Sequence, residues 1–341
     1  MNVLTDFHHS DLYFSNHSLF EKRLGFNLYR PIGHDWAEQN WWTMHYNGKL
    51  DYEYAIQDQF LSVGTGENYA HMGVRTVDDV LFQKRMTHDY EQKCITLEKF
   101  KNMHFDLIVP SHPCHYRLWE KLRDKFQPHA KVVHHVGNVD TVGHMDHVIR
   151  STTFHGSSKS EVLVHQELNA DIYKLTDINP ITKNIINVTN GNPFPEIYKA
   201  FKESLTDYTF QSYGSSSPDG ILSGCGKVAE QMRRANLGWT TKHSGGLGHS
   251  NMGWMFSGRP VITNMSRHRS LGECSLKLFE PGVTCIDIDA GSIEDVSKTI
   301  VKWMDPDTGQ KHGNLARKRF LEVVNYEEEA NAVKKFLSNI L

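Results

Sequence analysis

Cysteine is scarce in this chain and unpatterned: Cys94, Cys114, Cys225, Cys274 and Cys285 include no Cys-x-x-Cys pair. That spacing excludes a zinc ribbon, and a sparse, odd set fits reduced thiols better than a disulfide framework. Long apolar runs are missing too. With 39% hydrophobic and 23% charged residues, no stretch of about 18 apolar residues occurs, so no membrane-spanning helix is expected. The opening residues Met1 to Asp6 lack the basic and apolar regions of an export signal, and the expected location is cytoplasmic. Charge of one sign is lacking as well. The 37 Lys and Arg nearly balance 40 Asp and Glu, for a formal net charge of −3, so net charge does not indicate nucleic acid as a partner.

What is abundant is histidine, with 21 in 341 residues. An unperturbed imidazole titrates near about pH 6.5, so protonating all of them would carry the formal charge from −3 to +18. The surface field should depend strongly on pH.

The length suggests two domains, each large enough to bury a core. Asn2 to Phe7 reads as a strand, His8 to Asp11 as a polar loop, and the amphipathic segment to about Arg23 as a helix that Gly25 closes. Further strands are expected at Phe105–Val109 and Lys131–Val136, with a helix between them whose Leu118, Trp119, Leu122 and Phe126 share a face. A second start of the same kind appears at Asn184–Val188. After it come strands at Tyr208–Tyr213, Trp239–His243, Pro260–Asn264 and Val283–Ile288, alternating with helices at about 195–205, 227–235, 250–256 and 292–304. Strands alternating with helices argue for parallel sheets covered by helices, so the fold class is α/β with two doubly wound, Rossmann-like domains facing a cleft. The domains are placed at residues 1–179 and 180–312. A helical segment, 313–341, ends in a stripe of Val333, Phe336, Leu337 and Ile340.

Several familiar signatures fail by position. Gly64-Thr65-Gly66 runs on to Tyr69 where a dinucleotide fingerprint needs its third glycine, and Gly226-Lys227 is followed by Val228 where a P-loop needs Ser or Thr. No His-Glu-x-x-His occurs. The informative stretch is Trp239-Thr-Thr-Lys-His-Ser-Gly-Gly-Leu-Gly-His-Ser-Asn251, followed by Gly258-Arg-Pro-Val-Ile262. It reads as a strand, a glycine turn, a helix and another strand. Glycines let a ligand approach the backbone, and the amides opening the helix favour an anion, for which a diphosphate is the natural occupant.

These residues resemble the donor-binding core of GT-B glycosyltransferases, in a divergent form of the family 4/1 type. In those enzymes a strand, a glycine loop and a helix lead to a Gly-x-Pro-Val-Ile segment. Glu280-Pro-Gly-Val-Thr-Cys-Ile-Asp-Ile-Asp289 and the helix after it are similar to the next segment of that family. The resemblance implies a transferase that takes a nucleotide sugar, UDP- or GDP-linked, in its C-terminal domain and an acceptor in its N-terminal one, with the 313–341 segment returning to brace the N-terminal domain. It also departs from the pattern. Gly245 and Gly253 stand where retaining members carry a pair of glutamates, with Glu273 and Glu280 the nearest replacements and Glu273 preferred.

On this reading Lys242, His243, Gly246, Gly248, His249, Ser250, Asn251, Arg269 and Glu273 form the donor and diphosphate set, with Arg259 and Arg267 as further candidate phosphate partners. His8 and His9, oriented by Asp11, are candidate catalytic bases, because an imidazole beside a carboxylate has a pKa near neutral. His134, His135, Asn138 and Tyr213 are candidates to contact the acceptor, the sugar or the base. His112-Pro-Cys-His115 and His144-Met-Asp-His147 have spacings that suit a metal but lack a third ligand, so no metal and no further cofactor are expected. The acceptor is left open among a small molecule, a glycan, a protein and a modified DNA base. The rival readings are a nucleotide-sugar epimerase or hydrolase on the same fold and a catalytically inactive sugar- or nucleotide-binding module.

Overall fold

The computed structural model describes residues 1–5, 14–31, 93–95, 97–111, 116–137, 142–188, 195–214, 217–222, 224–242 and 246–341. They form two compact units. One contains residues 1–137, 141–167 and 326–341, and the other residues 138–140 and 168–325.

In the first unit, strands β1 (Asn2–Thr5), β2 (Asn27–Pro31), β3 (Lys93–Ile95), β4 (Leu107–Val109) and β5 (Lys131–Val132) build a parallel sheet in the order β3-β2-β1-β4-β5. Its short apolar strands are covered on both faces, as parallel strands require. Val3, Leu107 and Val109 point to one face and pack with Phe14 and Phe20. Leu4 and Ile108 point to the other and pack with Phe100 and Phe105, and with Trp119 and Leu122. Phe100 lies on α1 (Leu97–Asn102), and Trp119 and Leu122 on α2 (Tyr116–Phe126).

The helix between β1 and β2 is wound as a π-helix over His17–Arg23. Its chain reverses through Gly25 at φ +70, a conformation that glycine adopts without strain. The single strand expected over Lys131–Val136 is divided at Val133. β5 closes the five-stranded sheet, and β6 (His134–Val136) opens a second parallel sheet with β7 (His144–Arg150) and β8 (Ser157–Leu163), in the order β6-β7-β8.

The second unit repeats the doubly wound plan. It comprises β9 (Asn184–Asn187), α3 (Pro195–Ser204), β10 (Thr209–Ser212), α4 (Gly224–Arg234), β11 (Leu237–Trp239), α5 (His249–Phe256), β12 (Val261–Thr263), α6 (Met265–Leu271), α7 (Glu273–Leu276), β13 (Cys285–Asp287), α8 (Ile293–Trp303) and α9 (Pro306–Val323). The strands are parallel in the order β10-β9-β11-β12-β13. Ile185, Leu237, Trp239, Ile262 and Ile286 meet Tyr198 and Phe201 of α3 and Val296, Ile300 and Trp303 of α8. Against Gly238 of β11 lies the Trp254 indole, so closely that a β-carbon there would fall 2.4 Å from the ring.

Between described residues the chain passes from one unit to the other at Glu167–Leu168 and at Asn325–Tyr326, whereas the sequence pattern alone placed these changes near 180 and 313. Residues 168–180 belong with the second unit because the buried Arg259 gathers their carbonyls. Its guanidinium donates to the main-chain oxygens of Thr176 (2.6 Å) and Asp177 (3.2 Å), to the Thr176 hydroxyl (2.7 Å) and to the Arg233 carbonyl (2.9 Å). The last helix, α10 (Tyr326–Ser338), belongs to the first unit and places Val333, Phe336 and Leu337 in the core beside Val3 and Phe20. No helix among the described residues is long and apolar enough to cross a membrane.

Candidate functional site

Parallel strands bring all their carboxyl ends to one edge, where open α/β sheets bind ligands. In the second unit this edge carries Asn187 at the end of β9, Ser212 at the end of β10 and Tyr213 after it, Thr240 to Lys242 after β11, Asn264 after β12 and Asp287 at the end of β13.

Around Lys242 the edge becomes positive. The strand expected to reach His243 stops at Trp239, and Asn264 holds the chain beyond it: its side-chain oxygen accepts from the Lys242 N–H (2.9 Å) and its amide donates to the Lys242 carbonyl (2.8 Å). This pair continues the contact between β11 and β12 after the ladder has ended. The Lys242 ammonium then lies against the α-carbon of Gly248, where a β-carbon would come within 2.4 Å of Nζ. Gly248 also has φ +79, so both its backbone and its neighbour call for glycine.

Gly248 is the N-cap of α5 and has no side chain to cap it, and the first turn of the helix carries no acid. The positive end of the helix dipole therefore adds to the ammonium. Arg267, near the start of α6, adds a further charge. Burial, reinforced by Arg267, lowers the Lys242 pKa to about 8, although the side chain keeps some access to solvent. No carboxylate pairs with Lys242 among the described residues.

The start of α6 is different. Asp287 accepts from the Met265 N–H (3.0 Å) and Asp289 from the Ser266 N–H (2.7 Å), so that helix already has its anions. Beneath it His268 is clamped between Thr263 Oγ1 (2.8 Å) and Ser275 Oγ (2.5 Å) and stacked on Phe279 at 4.0 Å. Burial, with Lys242 and Arg267 nearby, pushes its pKa down to about 3 and keeps the ring neutral.

The donor-set residues fall into distinct places. Gly246, Gly248, His249 and Ser250 lie in the glycine turn and the first turn of α5. Asn251 is buried and donates to the Leu247 carbonyl (2.6 Å), so it shapes the turn from inside. Arg267 lies beside Lys242, whereas Arg269 is exposed farther along α6. Glu273 is exposed at the start of α7 and pairs with Lys277 at 3.2 Å, while Glu280 pairs with Arg319 at 2.7 Å. Arg259, a further phosphate candidate from its sequence position, is buried in the core with its two terminal nitrogens donating to main-chain carbonyls and the Thr176 hydroxyl.

Tyr213 follows β10, with its N–H on the Asn187 carbonyl (2.9 Å). Next to it the Ser212 hydroxyl joins the Asn187 amide (2.8 Å) to the Ser217 hydroxyl (3.1 Å). His134 and His135 belong to the first unit and are buried in β6. The His134 ring meets Tyr116 edge-on at 4.6 Å, and His135 Nε2 contacts Ser151 Oγ at 2.8 Å. His144 and His147 of β7 face Ser157 and Ser160 across the sheet, and Asp146 pairs with Lys159 at 2.8 Å. His8, His9, Asp11, Asn138 and His243 lie outside the described residues, as do His112 to His115.

Pattern reading missed the supporting frame: Asn264, His268, Asp287 and Asp289. An Asn-Met-Ser sequence after an apolar triplet does signal a helix start at Asn264. Nothing local signals that Asp287, more than twenty residues later, caps it.

No protein-family model matches the chain, and no curated protein matches it in sequence. Solved structures do match. The chain is similar to sucrose-phosphate synthase from Thermosynechococcus elongatus, with a TM-score of 0.61 and 10% identity, over 100% of this chain and 99% of that one. It is similar to Anabaena Alr3699/HepE, solved in complex with UDP-glucose, with a TM-score of 0.63 and 10% identity over 99% of this chain and 100% of that one. The fold is GT-B. A third similar structure is a Staphylococcus aureus TarM mutant in complex with fondaparinux, α-GlcNAc-glycerol and UDP. There the TM-score is 0.52 and identity 13%, over 67% of this chain and 55% of that one. At these identities the likeness is one of fold. The GT-B architecture accounts for the two parallel sheets, while the chemistry has to be argued from the positive edge at Lys242.

Proposed function

We propose that the chain is a glycosyltransferase whose second unit holds a nucleotide-sugar donor, with the diphosphate at Lys242, Arg267 and the opening amides of α5. The observation that carries this reading is the gathering of an ammonium, a guanidinium and an uncapped helix start at one sheet edge, with no described carboxylate paired to the ammonium. Such a site gains most from a ligand with two or more negative charges. HepE, crystallised with UDP-glucose, supports a UDP-linked sugar as the first donor to test.

In the transfer, the bond from the sugar anomeric carbon to the phosphate oxygen breaks and its electron pair stays on the diphosphate. Lys242, Arg267 and the α5 amides stabilise that developing charge, so the proposed mechanism needs no metal at this position. The acceptor, assigned to the first unit, forms the new bond through a hydroxyl whose proton passes to His8 or His9, oriented by Asp11. The acceptor class stays open among small molecules, glycans, proteins and modified DNA bases. The glycines at positions 245 and 253, where retaining members carry glutamates, support one second reading, a sugar-nucleotide-binding module without turnover.

A thermal-shift screen of nucleoside diphosphates and nucleotide sugars tests the donor site. A ligand present at about 100 times its Kd stabilises the folded state by about 2.7 kcal/mol, a readily measured shift in Tm. Absence of stabilisation by any of them would reject the assignment. Given turnover, replacing His8 or His9 singly by Gln tests the base, and unchanged rates in both variants would remove it.

A further inference from the structure

We propose that donor binding is proton-linked: Lys242 is partly deprotonated in the ligand-free protein and takes up a proton from solvent when a diphosphate settles against α5. This inference rests on the donor site proposed above and adds how that site is regulated.

The argument is one of charge balance in a confined place. Lys242 faces Gly248 and the α5 amides on one side and α6, carrying Arg267, on the other. Among the described residues, the charged or titratable groups near it are these. Arg267 is permanently cationic and repels the ammonium. The neutral His268 is held by two hydroxyls and contributes no counter-charge. Asp287, ending β13, and Asp289, just after it, are turned to the Met265 and Ser266 amides. His249 lies in the first turn of α5.

Burial first, and then the Arg267 charge, bring the Lys242 pKa to about 8; with no carboxylate paired to it among the described residues, releasing a proton is the way this site lowers its charge. A bound diphosphate reverses the balance, because opposite charge within a few ångströms favours the protonated amine. The amine R–NH2 then becomes R–NH3+ at the expense of one buffer proton, with no other bond changed.

Isothermal titration of the full chain with UDP-glucose, whose diphosphate does not titrate between pH 7 and 8.5, tests this directly. Measured at pH 8 in phosphate and in Tris, the heats should differ by the equivalent of about half a proton taken up per site, falling towards zero at pH 6.5. Affinity should weaken about tenfold from pH 7 to pH 9. Lys242→Arg carries a cation that does not titrate, so it should abolish the uptake and flatten the affinity profile. Wild-type binding with no buffer-dependent heat would overturn the proton linkage and leave the donor site standing. Uptake that peaks near pH 6.5, or that persists unchanged in Lys242→Arg, would assign the proton to a group such as His249 and likewise overturn it. Failure of UDP-glucose and every other nucleotide sugar to bind at any pH would instead reject the donor site itself.

Discussion

His268 illustrates how much one enclosed side chain can contribute to pH sensitivity. Its folded pKa of about 3 lies below the value of about 6.5 expected in the unfolded chain, so between these limits the folded state binds fewer protons. Its contribution is present above pH 6.5 and is lost as pH falls through the window. From pH 7 to pH 5 the loss is about 2 kcal/mol. His17 and His147, lowered chiefly by burial, add effects of the same sign. Urea unfolding at the two pH values should show this drop in wild type and a clearly smaller one in His268→Gln; equal drops would refute the assignment. At this scale the sequence was informative about Lys242 and Gly248, which sit in the glycine-turn motif. It preferred Arg269 to Arg267, two residues apart on one helix, whereas Arg267 is the one whose charge acts on Lys242 and Arg269 is exposed; which side of α6 faces Lys242 is not written in local sequence.

The same limit appears among elements. α5 and α6 both begin at the carboxyl edge of the sheet, yet the α5 N-cap is a glycine without a capping side chain while α6 takes two aspartates, one ending β13 and one just beyond it. The glycine turn before α5 was legible, since it is a local sequence, whereas the capping of α6 joins residues more than twenty positions apart. Arg259 teaches the same lesson. Within a Gly-Arg-Pro segment it is a candidate phosphate ligand, but tertiary folding turns it inward to tie the 176–177 segment to α4. Arg259→Met keeps much of the packing and leaves several carbonyls without donors, so a loss of roughly 3 kcal/mol is expected in denaturant unfolding. An unchanged midpoint would show that the carbonyls find water instead.

For the whole molecule, the consequence lies in the return of α10 to the first unit. Val333, Phe336 and Leu337 complete the core around Val3, Phe20 and Leu28, and Arg23 bonds both Glu167 and Glu327 near the two chain crossings. Truncation before Tyr326 should therefore destabilise the first unit selectively. Calorimetry is expected to show one transition moved down and a second, sensitive to UDP-glucose, little changed; a single transition moving as a whole would contradict this. The apolar stripe on α10 was visible in the sequence and the family resemblance implied its return to the first domain, but the residues it meets there were not legible.

Local pattern was sufficient for the doubly wound class, for most strands and helices of the second unit, and for the glycine turn, because apolar alternation, helical stripes and glycine spacing are properties of neighbouring residues. Only the tertiary structure decided which cations meet, which helix start stays uncapped, where the chain changes units and which histidines are locked in the core. Those outcomes depend on charges and surfaces meeting through space, between residues whose separation along the chain carries no trace of their contact.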